Sequence, residues 1–259
     1  MVIKSKHSQV TIFVIIGIVI VVSILLFFLL RGEGPLSLFK PSISNPQEYI
    51  EKCTRDAVVE AVNIMLPQGG YVSPQNYKLY ENNKVQYLCY INKYYLPCVN
   101  QEPMYIQHLS QEIQDYIKPK IKDCFYSLEQ ENKKKGFSVS IQDSEDIAVD
   151  LKPRQIDVRI KKKFEISKGE ETKSYNSYDI IMQSPLYDLA VIAQEIASQE
   201  AKFCNFEYLG FSLLYPKYII EKDQVGSEET ISDIYKIKEK LSGKELIIAI
   251  RSCAMPGGL

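Results

Sequence analysis

Val10 to Leu30 reads VTIFVIIGIVIVVSILLFFLL, 21 residues without a charge. As an α-helix such a run is about 31 Å long at ~1.5 Å per residue, close to a bilayer hydrocarbon core of ~30 Å. Thr11, Gly17 and Ser23 are its only interruptions, and a hydroxyl in a helix bonds back to its own backbone. Apolar side chains fall on every face, unlike the one-sided stripe of a soluble helix. The run exceeds the ~7–15 residues of a secretory signal core, and no small residues mark a cleavage site at its end. The expectation is a short basic cytoplasmic leader over 1–8 and a retained transmembrane helix over 9–30, with the lipid bilayer as partner through Val10 to Leu30. Lys4, Lys6 and the α-amino group precede the run, and Arg31 and Lys40 follow it. The positive-inside count is tipped by the amino terminus, which puts that end in the cytoplasm and the C-terminal domain outside.

The chain's 31 basic and 32 acidic side chains average two unlike parts. Residues 1–30 hold two lysines and no acid, so the remainder carries 29 basic and 32 acidic groups, a net of −3. That balance argues against nucleic acid as a partner, because nucleic-acid binders carry a basic excess. Arg31 to Asn45, RGEGPLSLFKPSISN, reads as a semi-extended linker. Residues 46–259 are then expected to form an extracytoplasmic α+β domain of antiparallel sheet packed with several helices. Its 214 residues suffice to bury a core.

Within it, Asn45 suits a helix cap, Pro46 a first turn and Glu48 a capping-box acid. Ile50, Cys53, Ala57, Val58, Ala61 and Met65 recur at helical spacing, and Pro67-Gly69-Gly70 ends them. Short strands are expected over 71–97, with a hairpin around Asn92-Lys93. A second helix opens at Pro103, with a kink or break expected near Lys118 because Pro119 lacks an N–H. Alternation at 137–141, 147–151 and 156–166, returning through SKGEETK to Met182, predicts a four-stranded meander. A third helix follows, capped by Ser184. Strands are expected over 206–222, and a last hairpin, 231–238 with 244–252, turns at Leu241-Ser242-Gly243-Lys244.

Six cysteines allow fifteen pairings. None forms C-x-x-C, which weakens zinc and redox readings. The expected pairs are Cys53–Cys124, Cys89–Cys98 and Cys204–Cys253, an outside location favouring them. Buried free thiols are the alternative.

Catalytic signatures are scarce. G-x-S-x-G, H-E-x-x-H, Walker A and G-x-G-x-x-G do not occur, and His7 and His108 are the only histidines. No catalytic residue, cofactor or metal is therefore expected. Asp143-Ser144-Glu145-Asp146 lacks EF-hand spacing and reads as a solvated turn. Arg159 and Lys161-Lys162-Lys163 read as a charged strand face that resists edge pairing, or else as a basic patch toward anionic lipid or sugar. The 18 tyrosines suit core and rim, with sugar stacking as the alternative.

The stretch KSKHSQVTIFVIIGIVIVV resembles the N-termini of uncharacterised single-pass surface proteins of small-genome archaea, and the class III signal sequences of archaeal type IV pilins. The second resemblance implies processing between Ser8 and Gln9. Those pilins usually carry Glu five residues into the mature chain, where this one has Phe13. The Cys53 helix, the Gly69-Gly70-Tyr71 turn and the Cys124 helix end loosely resemble the outer domains of the archaeal proteins. Together these features lead to the expectation of a membrane-anchored cell-surface protein whose outer domain binds a surface protein or glycan or serves structurally. A pilin-like filament subunit and a cell-envelope enzyme are the alternatives.

Overall fold

A computed structural model describes residues 15–23, 45–93, 95–142, 146–227 and 231–253. The chain divides into two units, Met1–Ser42 and Ile43–Leu259. In the first, 15–23 is helical with exposed side chains. Among the described residues no helix is long and apolar enough to cross a membrane. The remainder of the Val10–Leu30 run, Ser8, Gln9 and the linker through residue 44 lie outside the described residues.

The second unit is α+β. Helix α1 (Pro46–Met65) runs into one turn of 3-10 helix (Leu66–Gln68) and is followed by strands β1 (Tyr77–Tyr80), β2 (Asn83–Tyr90) and β3 (Val99–Asn100). Helix α2 (Tyr105–Lys134) precedes β4 (Ser138–Ile141), β5 (Asp146–Lys152), β6 (Gln155–Lys168) and β7 (Glu171–Gln183). Helices α3 (Leu186–Phe203) and α4 (Tyr208–Leu214) lead to β8 (Tyr218–Val225), β9 (Ser232–Glu239) and β10 (Glu245–Arg251).

Two sheets share one core. The first runs β1-β2-β10-β9-β8, with β3 also on β2. The β2–β10 pair is parallel and the others are antiparallel. The second sheet centres on β6, which pairs β4 and β5 along one edge and β7 along the other. Ile156, Val158, Ile160 and Phe164 of β6 point into the core with Phe125 of α2 and Tyr178 of β7. This is the period-2 burial that the alternation predicts. Lys162 sits on the same face, largely buried, with its ammonium 5.2 Å from the Phe125 ring centre. Helices α1 and α2 cover the second sheet, and α3 lies against β2, β9 and β10 of the first.

Four local expectations need correction. Helix α2 runs unbroken through Pro119. Pro119 is exposed, so the carbonyl it strands can meet water, while Ile113, Ile117, Ile121 and Cys124 hold the opposite face in the core. The meander holds for β5-β6-β7, but β4 pairs β6 beyond the end of β5. Residues 206–217 do not form a strand, since α4 occupies Tyr208–Leu214. The hairpin expected around Asn92-Lys93 is wider, with β2 pairing β3 only at Val99–Asn100, and a tight hairpin instead joins β1 to β2 through Glu81 and Asn82, both at positive φ, a turn chemistry that lacks its usual glycine here.

Candidate functional site

The six cysteines close as Cys53–Cys124, Cys89–Cys98 and Cys204–Cys253, with Cα separations of 6.3, 5.4 and 5.6 Å. The first ties α1 to α2. The second closes the approach of β3 to β2. The third joins the left-handed C-cap of α3 to the residues after β10.

Beside the third bridge lies a buried polar network. Glu200 of α3 is fully buried. Its Oε1 accepts from Tyr235 Oη and, at 3.4 Å, from Lys222 Nζ, which also meets Asp233 at 2.9 Å. The Glu200 carbonyl accepts from the N–H of Cys204, in the bridge itself, and from the Ser252 hydroxyl beside Cys253. One ammonium lies between the two carboxylates, and Glu200 Oε2 is buried without a hydrogen-bond partner. The network buttresses the bridge and the β8–β9 pair.

His108 is on α2, as its sequence context suggests, but not isolated. Its Nδ1 lies 3.7 Å from Glu102 and its Nε2 4.0 Å from Glu112. The Tyr71 ring packs 4.0 Å from it, and Tyr71 Oη donates to Glu102 at 2.9 Å. Glu112 also accepts from the Val72 N–H. These contacts latch the 69–72 turn onto α2. Among the described residues, no group of three or more His, Cys, Asp or Glu is arranged to hold a metal ion. Of the acidic 143–146 cluster only Asp146 is described, and it pairs with Lys161 at 3.1 Å. Arg159 pairs with Asp179 and Lys163 with Glu165 across or along β6.

Several phenols are held neutral. Burial, then the bond to Glu102, pushes Tyr71 up. Burial raises Tyr178, and burial with the bond to Glu200 raises Tyr235. The Tyr80 hydroxyl donates to Asp223 at 2.5 Å, and that bond raises it to about 12. A phenol whose folded pKa exceeds its unfolded value near ~10 adds stability that is complete below that pH and is lost as pH rises through the folded value. Alkaline titration should therefore be biphasic, with these phenols ionising only as the fold opens. Near-ultraviolet absorbance and circular dichroism followed together measure it, since the chain lacks Trp. A single tyrosine transition with the fold intact would contradict it.

Helix α4 places large apolar side chains at the surface of the second unit. Its sequence is YLGFSLL, and none of its residues is buried. Phe211 wedges between Phe206 and Tyr215, at ring separations of 5.5 and 4.6 Å, and holds the helix to the domain. That leaves Leu213 at 82% and Leu214 at 78% exposure. The Glu207 side chain accepts from the Gly210 N–H and caps the helix. Between α3 and α4 runs a groove of about 600 Å³, lined by Tyr187, Phe211, Tyr215 and Tyr218 with Asp188, Glu195 and Lys217. Asp188 Oδ2 is buried there without a hydrogen-bond partner. A smaller apolar pocket of about 160 Å³ lies between α1 and the start of α3, lined by Val58, Val62, Leu66, Met182 and Leu186.

Sequence reading passed over this surface. Leucines at 213 and 214 look like core by type, and only three-dimensional placement turns them outward. No known protein family, curated protein or solved structure matches the chain. What the fold defines is a disulfide-bonded α+β domain that leaves leucines of α4 exposed.

Proposed function

We propose that this chain is a membrane-anchored surface protein that presents its α+β domain outside the cytoplasm as a binding module. The observation that carries the reading is the closure of all six cysteines in three pairs within a domain joined to an uncharged 21-residue run. Disulfides persist in oxidising compartments, and a run of that length suits a bilayer span. The apolar α4 face and the tyrosine-lined groove beside it support binding as the activity, because exposed patches of this kind mark interaction sites.

Trypsin added to intact cells tests it. Arg31 offers a cleavage site in the linker, so a disulfide-bonded fragment beginning at residue 32 should appear in the medium without lysis. A fragment released only after lysis would refute the outward placement. The Ser8–Gln9 bond supports a second reading, a pilin-like filament subunit. That reading requires a mature chain beginning at Gln9, and an N-terminus at Met1 or Val2 by mass spectrometry would remove it.

A further inference from the structure

The exposed leucines of α4 do not stand alone. Leu213-Leu214-Tyr215-Pro216-Lys217 leads from α4 into β8, and Lys240-Leu241-Ser242-Gly243-Lys244 turns β9 into β10. The Lys240 N–H donates to the Lys217 carbonyl at 3.0 Å, so the two segments lie side by side. Leu241 is 85% exposed, more than either leucine of α4. Lys217 and Lys240 are exposed, Lys217 shares its groove with Asp188 and Glu195, and the Lys244 ammonium bonds Asn63. Two adjacent segments thus carry three exposed leucines, an exposed tyrosine and three lysines.

The geometry points to a lipid bilayer interface, with anionic headgroups, as the occupant of this patch. The inference deepens the binding-module reading above and rests on it. Leucine enters the acyl boundary, tyrosine stays at headgroup level, and lysine stems reach back to phosphate. The lysines decide against a second copy of the chain. A two-fold contact through these segments would bring the three lysines of each copy together, whereas lipid phosphate supplies a counter-charge to all of them.

Reach is consistent with this. Lys244 Nζ bonds Asn63 Oδ1 at 2.6 Å, which puts the patch near the C-terminal end of α1. Pro46 is at the other end of that 20-residue helix, about 30 Å away at ~1.5 Å per residue. The sequence Arg31–Asn45 separates the apolar run from that helix, and a chain of its length spans about 50 Å when fully extended.

The absence of Trp makes the test direct. Leu214→Trp, Leu241→Trp and, as a reference on the exposed side of α2, Tyr126→Trp would each be made in the full chain. The variants would be reconstituted into vesicles of phosphatidylcholine with and without phosphatidylglycerol. In phosphatidylglycerol vesicles, emission from positions 214 and 241 should shift to the blue and be quenched by shallow spin-labelled lipid, well beyond position 126. The triple change Lys217→Gln, Lys240→Gln, Lys244→Gln should lose most of the preference for phosphatidylglycerol, about fivefold per lysine at ~1 kcal/mol each. Quenching no greater than at position 126 would overturn the inference. So would a blue shift without lipid quenching that grows with protein density, since a second copy would then cover the patch. The readout does not depend on which compartment holds the domain, so its failure is distinct from a failure of the trypsin experiment.

Discussion

Reducing the three disulfides should remove most of the domain's stability. Chain-entropy reasoning gives about 4.4 kcal/mol for Cys53–Cys124, about 2.7 for Cys89–Cys98 and about 4.1 for Cys204–Cys253. These follow from sequence separations of 71, 9 and 49. Together they are comparable to the ~5–15 kcal/mol that a whole domain usually has. Denaturant titration with and without a thiol reductant measures the loss. The midpoint should fall close to zero denaturant on reduction, and the Cys53→Ala/Cys124→Ala pair should cost more than Cys89→Ala/Cys98→Ala. Superimposable curves in the two conditions would contradict the bonded state.

The second large effect is at Gly70. Its φ is +82°, and a Cβ there would lie 2.4 Å from Tyr105 Oη and 2.5 Å from Leu109 Cδ2. Both side chains are fully buried, and Tyr105 Oη donates to the Gly69 carbonyl at 3.0 Å. Gly70→Ala thus combines a left-handed backbone with overpacking against groups that cannot withdraw. The expected cost is roughly 3–5 kcal/mol. Gly243→Ala is the control. Its φ is +68° but nothing lies within 4 Å of the added carbon, so the backbone strain alone should cost about 1 kcal/mol. Equal losses in the two variants would show that the Tyr105 contact is unimportant. Thermal unfolding of both proteins decides it.

The sequence carried the fold where periodicity and punctuation agree. Asn45-Pro46 and the Ile50 to Met65 spacing mark α1, and the alternation of Ile156 to Ile166 marks the central strand, although Lys162, read with the charged face, lies on its inner face. The final hairpin is legible from its apolar runs and Gly243. Topology was less legible. A period of two tells which face of β2 or β10 is buried, but nothing in either strand names the other as a parallel neighbour. Pro119 misled because its local cost is outweighed by a continuous apolar face on both sides of it. In 206–216 the mixture of aromatic, leucine and polar residues resembles a strand, and the cap from Glu207 to Gly210 was the available signal for a helix.

The candidate surface was the least legible part. Leu213, Leu214 and Leu241 have the composition of a core and the position of a rim. Only the packing of Phe211 into the domain and the Lys240–Lys217 backbone bond turn them outward together. The cysteines were the opposite case, because the run at Val10–Leu30 gives an even count its meaning before any geometry is known.

That link between anchor, compartment and bonded cysteines is the centre of the account. Its most direct test is disulfide mapping of the whole chain, taken from cells whose thiols are blocked at the moment of lysis. The account predicts no alkylated cysteine and three linked peptides, joining 53 to 124, 89 to 98 and 204 to 253. Six alkylated cysteines would contradict both the pairing and the outward placement of the domain.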